Sequence, residues 1–225
     1  MGGETVNGVF DIIGPVMIGP SSSHTAGAVR LGIMARKILG EEPVKATIGF
    51  HGSFSQTYKG HGTDKAIIAG IMGFETDDER IKKSLHIADE IGLEYQFNRI
   101  DLGDVHPNTV VIYLIGKAGR TTRVVGSSIG GGNILITQID GYAVELTGRY
   151  PTLINIHHDK PGIITQVTKV LSQNNINIAF MRVSRQIRGE DAMMIIEVDE
   201  PINKDVLNKI QTVEGVYHCF SIPPI

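Results

Sequence analysis

At 225 residues the chain has room for one large domain or two small ones around a real core. Its apolar share of 41%, charged share of 20% and formal net charge of −3 describe an ordinary water-soluble protein with no electrostatic footprint for nucleic acid or an anionic membrane. Cysteine occurs once, at Cys219, which excludes an internal disulfide and any zinc or iron–sulfur site built from several thiolates of this chain.

The opening MGGETVNGVF lacks the basic-then-apolar order of a signal peptide, and Val6 stands where a myristoylation signal has Ser or Thr. No stretch reaches the ~18 uninterrupted apolar residues of a membrane span, so the expectation is a cytoplasmic protein. Residues 19–27 read GPSSSHTAG, and the following run to 39 places Val29, Ile33, Met34 and Leu39 along one helical face, with Gly40 as the stop. VKATIGF (44–50) alternates as a half-buried strand does. TDKAIIAGIMG (63–73) predicts a helix capped by Thr63 with Asp64 in its first turn, and the glycines around His61 predict a loop before it. A further helix fits 77–92, followed by strands at 93–100, 109–116, 121–129 and 133–139.

A new rhythm begins at TGRYPT (147–152), giving domains of 1–148 and 149–225. The second predicts strand 152–158, helix 161–173, strands 176–185 and 191–198 around a turn at Gly189, helix 203–211 and strand 215–222. This is the βαββαβ, ferredoxin-like order. The fold class is therefore α+β: a mixed domain followed by a ferredoxin-like one.

Chemistry concentrates in glycine-bounded segments. In GPSSSHTAG the hydroxyls of Ser21, Ser22, Ser23 and Thr25, with the free N–H groups of the following helix, make a donor-rich anion cradle, and His24 adds a charge-assisted donor. A single N-cap, worth ~1 kcal/mol, needs one hydroxyl, not four and an imidazole. The spacing does not match the G-x-S-x-G nucleophile elbow. In YKGHGTDKA, His61 offers an imidazole, which titrates near ~6.5 and so suits proton transfer, and Lys65 is placed to steady a carboxylate. GSSIGGGNI (126–134) fits neither dinucleotide nor P-loop spacing. Its glycines allow close backbone approach at Gly131, with Ser127, Ser128 and Asn133 as donors on its rim, or they form a plain turn. DVHPNT (104–109) offers His106 and Asn108 to a pocket wall, or is only the entry to a strand.

LINIHHDKPGIITQVTKVLSQNNINIAFMRVSR resembles the opening of an ACT domain. Pro161 is expected in the first helical turn and Gly162 at an open helix entrance. The resemblance implies side-by-side pairing of two copies and an amino-acid effector site at Asp159, Gly162, Ile163, Asn177 and Ile178. IGPSSSHTAG, GHGTDKA, HPNT and GSSIGGGNI, in this order and before an ACT domain, resemble the β chain of bacterial iron–sulfur L-serine dehydratases. That resemblance implies dehydration of L-serine to pyruvate and ammonia, with a 4Fe–4S cluster held by a separate α chain or domain and none by this chain. Iron acts there as the Lewis acid on the serine hydroxyl. It further implies substrate contacts from Ser21, Ser22, Ser23, Thr25, Thr63, Lys65, Asn108, Ser128 and Gly131, and a general base among His61, His24 and His106. No Schiff-base lysine context or phosphate loop supports pyridoxal phosphate. The alternative is a non-catalytic amino-acid- or anion-sensing module, which needs carboxylate donors but no proton acceptor.

Overall fold

The computed structural model describes residues 17–19 and 21–225; the expectations for the first ten residues lie outside them. The chain divides into two compact units that meet at Leu135/Ile136, whereas the change of rhythm in the sequence lies at 147–152.

In the first unit, a π-helical turn at Ser22–Gly27 runs directly into helix α1 (Ala28–Leu39), which ends on Gly40 in the left-handed conformation, φ 73°. Strand β1 (Pro43–Phe50) follows, then α2 (Gly52–His61), α3 (Thr63–Met72), a 3₁₀ turn (Glu79–Lys83) and α4 (Ser84–Glu90). These helices form the crossover to β2 (Glu94–Arg99), which pairs parallel to β1 with Ile48 opposite Phe97. β3 (Thr109–Gly116) and β4 (Thr121–Gly130) add antiparallel strands on the other side, with Ile48 opposite Ile112 and Ile112 opposite Val124. α1 packs on β3 and β4 and against α3. Val29, Ile33, Met34 and Leu39 are all buried, as their spacing predicts.

Two local expectations are corrected. His61 does not sit on a bare loop: it is the last residue of α2, a helix invisible to apolar periodicity because Phe54 is its only buried residue. Thr63 does not cap α3. Gly62, at φ 71°, occupies the cap position, and the Thr63 hydroxyl is buried without a partner.

β5 (Asn133–Ile139) spans the boundary between the units. In the second unit β6 (Tyr142–Leu146), which sequence reasoning missed, precedes β7 (Thr152–His158), α5 (Ile163–Gln173), β8 (Ile178–Arg185), β9 (Asp191–Val198), α6 (Lys204–Gln211) and β10 (Val216–Ile222). The antiparallel sheet runs β10-β7-β9-β8, the ferredoxin-like order expected. α5 and α6 bury Val167, Leu171, Val206 and Ile210 with Leu153, Met194 and Ile196 of the sheet. The alternate residues Ile154, Met193 and Ile195 are buried too. On that side Glu197 accepts from the Thr147 amide (3.3 Å) and hydroxyl (3.2 Å), and Arg182 pairs with Glu145 at 3.1 Å, so β6 lies over this second face. Pro161 is a further correction. Gly162 at φ 95° breaks the helical path, so α5 starts at Ile163 and Pro161 lies in the turn before it.

Candidate functional site

The π-helical turn is organised by Ser21, whose Oγ accepts from the His24 amide at 3.3 Å while its carbonyl accepts from the Thr25 amide at 2.9 Å. The turn touches α2, α3 and β4, so three distant segments of sequence meet around it. A side chain at Gly27 would overlap the Ser128 hydroxyl, which is how closely β4 approaches.

His24 is buried, with its ring edge-on to Phe54 (5.2 Å) and to His61 (4.6 Å). Its Nδ1 lies 3.3 Å from Ser21 Oγ and its Nε2 lies 3.1 Å from Thr57 Oγ1. Burial, and then the neighbouring His61, lower the pKa of His24, so this imidazole is held neutral rather than acting as a charged donor.

His61, by contrast, is exposed and makes no hydrogen bond to another described residue. It borders a cavity of about 290 Å³ together with Thr25, Lys59, Lys65 and Lys82. Asp64 lies one residue before Lys65 and is buried. Burial raises its carboxyl pKa, while the Lys65 amide (2.8 Å) and the charges of Lys65 and Lys59 pull it back. The cavity is thus an open, cationic pocket with one hydroxyl and one unengaged imidazole, fit to hold a small carboxylate and take a proton from it.

The other expected substrate residues are placed as follows. Ser22 and Ser23 are half-buried on the turn. Thr63 Oγ1, Asn108 Oδ1 and Ser128 Oγ are buried without a hydrogen-bond partner, three of the four such side-chain atoms among the described residues. Native proteins rarely leave buried polar atoms unpaired, and these three fall among the residues expected to touch a ligand. Asn108 and Ser128 are neighbours, the Ser128 amide donating to the Asn108 carbonyl at 3.0 Å. Ser127 is committed elsewhere: Thr109 Oγ1 donates to the His106 carbonyl, so Ser127 donates to Thr109 at 2.7 Å. His106 is exposed and its Nδ1 accepts from the Asn108 amide at 3.1 Å, a local turn contact outside the cavity. Gly131, φ 58°, sits at the turn between β4 and β5, where Arg30 holds the Gly132 carbonyl at 3.0 Å, and does not border the cavity.

In the second unit, the expected effector residues do not share one hollow. Asn177 and Ile178 border one groove with Thr165 and Lys169, whereas Ile163 borders another with His158, Lys160 and Glu214. Asp159 accepts from Arg185 (2.6 Å) and from the Gly189 amide (3.0 Å), which hold its carboxyl below the usual range and tie the β8–β9 turn. Asn177 is occupied by Asp199 at 2.7 Å and Glu200 at 2.9 Å. Gly162 serves as the left-handed cap of α5.

Sequence reasoning missed Thr57, Lys59 and Lys82. Lys59 was within the quoted motif. Thr57 and Lys82 carry no local signal, since only packing brings α2 and the 3₁₀ turn to the π-helical turn.

Comparison with known proteins places the chain in a family. Residues 8–138 match the family described as serine dehydratase beta chain, and residues 152–215 match the ACT domain. The chain is 47% identical over 214 residues to the probable L-serine dehydratase, beta chain, of Bacillus subtilis, covering 95% of this chain and 97% of that one. It is 39% identical over 206 residues to the L-serine dehydratase, beta chain, of Peptoniphilus asaccharolyticus, covering 91% and 93%. A D-3-phosphoglycerate dehydrogenase of Synechocystis is 32% identical over 97 residues, 43% of this chain and 18% of that protein. No helix among the described residues is long and apolar enough to cross a membrane.

Proposed function

The chain belongs to the serine dehydratase beta-chain family and carries an ACT domain, and from that premise we propose that it is the substrate-binding and regulatory chain of an L-serine dehydratase. The reading rests on the cavity in which an unengaged imidazole, His61, faces the same space as Thr25 and three lysine ammonium groups. Dehydration of L-serine removes a proton from Cα and hydroxide from Cβ. The aminoacrylate left behind tautomerises to an imine and hydrolyses to pyruvate and ammonia. This chain's share is to bind and to take the proton. Lys65 and Thr25, with Ser22 and Ser23 of the adjoining turn, hold the carboxylate, whereas Thr63, Asn108 and Ser128, whose buried polar atoms have no hydrogen-bond partner, do not border this cavity. His61 takes the α-proton, the task an imidazole performs best near neutrality.

The 4Fe–4S cluster that the resemblance implies does not fit the residues of this chain. Cys219 is its only cysteine, burial pushes that thiol up to about 12, and no three His, Cys, Asp or Glu side chains among the described residues could hold a metal. In this proposal the cluster is held by a partner α chain; the beta-chain names of the relatives imply a partner subunit. ACT pairing of two copies and an amino-acid effector complete the proposal.

The experiment is reconstitution. Alone, the purified chain should be colourless and release no pyruvate from L-serine. Mixed anaerobically with a cluster-bearing partner, it should form a brown, active complex in which His61→Ala lowers kcat by roughly 10²-fold or more. Ser22→Ala or Ser23→Ala should instead raise KM. Pyruvate from the chain alone would refute the two-chain scheme. A complex that binds serine but stays silent would identify the sensing module.

A further inference from the structure

Counting protons around His24 assigns a role to a residue outside the binding set. Thr57 lies in α2, and its hydroxyl donates to the Ser53 carbonyl one turn back, at 2.7 Å, the usual back-bond of a helical threonine. A hydroxyl carries one proton, and that bond uses it. At the 3.1 Å contact between Thr57 Oγ1 and His24 Nε2, the imidazole must therefore be the donor. With its proton on Nε2, a neutral ring accepts at Nδ1, so Ser21 Oγ donates to it across 3.3 Å while accepting the His24 amide on a lone pair.

We propose that Thr57 is a positioning residue that locks His24 as the neutral Nε2–H tautomer and thereby commits the Ser21 proton to His24 rather than to a ligand. Two expected roles change as a result. Ser21 ceases to be a carboxylate donor, and His24, with both ring nitrogens engaged, ceases to be a candidate base. The titratable group in ring contact with His24 is His61, 4.6 Å away, with Phe54 on another side. With both ring nitrogens engaged, a neutral His24 presents no charge of its own to the His61 ring. Burial acts in the same direction. The catalytic consequence, His61 as the base, rests on the dehydratase reading above; the tautomer itself does not.

The test uses the full chain labelled with ¹⁵N-histidine, the His24 signals being identified by their loss in His24→Gln. Two-bond ¹H–¹⁵N spectra report which ring nitrogens carry protons. At pH 7.5 His24 should show a protonated Nε2 and a bare Nδ1. Thr57→Val, which keeps the shape and removes the oxygen, should abolish that signature, and Thr57→Ser should restore it. A wild-type His24 protonated on Nδ1, or on both nitrogens, would overturn the proposal without any variant having to fold. So would a folded Thr57→Val chain with an unchanged His24 spectrum. These spectra need no dehydratase activity, so a reconstituted complex that makes no pyruvate refutes the functional reading and leaves the tautomer to be decided by the spectra alone.

Discussion

His157 and Thr63 are both buried polar side chains, but they meet opposite fates. His157 lies under the helices of the ACT sheet, where its Nδ1 reaches Asn155 Oδ1 at 2.9 Å. The Thr63 hydroxyl has no hydrogen-bond partner among the described residues. The first is a satisfied core group, and the second is a buried hydroxyl left unpaired, which native proteins rarely tolerate. Burial lowers the pKa of His157, against the opposing pull of Asp159 and Asp191. The folded chain therefore binds a proton at His157 less readily than the unfolded chain, where histidine titrates near ~6.5. Its contribution to stability is complete above that pH and is lost as pH falls below it toward the lower folded value. Urea titrations of wild type and His157→Gln between pH 5 and 7.5 should show a stability difference that shrinks as the solution is acidified. A difference that stays constant with pH would mean that His157 does not ionise on unfolding.

Helices α1 and α3 show how glycine position, more than apolar content, sets the geometry of an element pair. A Cβ at Gly70 would overlap the Val29 carbonyl oxygen and lie 2.9 Å from the Ile33 amide, and one at Gly32 would overlap the Ile67 carbonyl. The two backbones touch at reciprocal glycines, and this close crossing helps seat the start of α3 near the π-helical turn. Alanine should favour an isolated helix over glycine by ~1 kcal/mol, yet Gly70→Ala has to push the helices apart, and overpacking costs about 1–3 kcal/mol or more. We expect the substitution to lower the urea midpoint with the m-value unchanged. A midpoint at or above wild type would show that the helices separate freely. α2 is the contrasting element, a helix with one buried residue. Phe54 packs against Phe50 (6.2 Å) and His24 (5.2 Å), so α2 is held by the site as much as it holds the site.

For the molecule as a whole, the free edge of the ACT sheet matters most. β8 is an edge strand, and Phe180, Met181 and Val183 along it are 38%, 39% and 36% exposed. β6 covers a face of this sheet through Glu145 and Thr147, not its edge. An apolar, unpaired edge invites another strand, and a second copy of β8 would extend the sheet across two chains. The full chain should therefore sediment as a dimer at micromolar concentration, and Met181→Asp should shift it toward monomer. A wild-type monomer at tens of micromolar would rule out pairing at this edge.

The ACT strands, α1 and the β3–β4 pair were legible in the sequence because apolar periodicity records which side of an element is buried. Composition alone excluded a multi-thiolate metal site in this chain. The motif GPSSSHTAG announced a donor cluster, and YKGHGTDK announced His61 and Lys65 beside it. What periodicity could not report was α2, whose single buried ring leaves no stripe, nor β6, a five-residue strand. Nor could it show which hydroxyls are spent on neighbours and which are left without a partner: Ser127 meets Thr109 and Ser21 meets His24, while Thr63 and Ser128 stay unpaired. Apolar burial is written into local spacing. A polar site is assembled from segments far apart in the chain, and each proton goes to whichever partner the packing brings within reach.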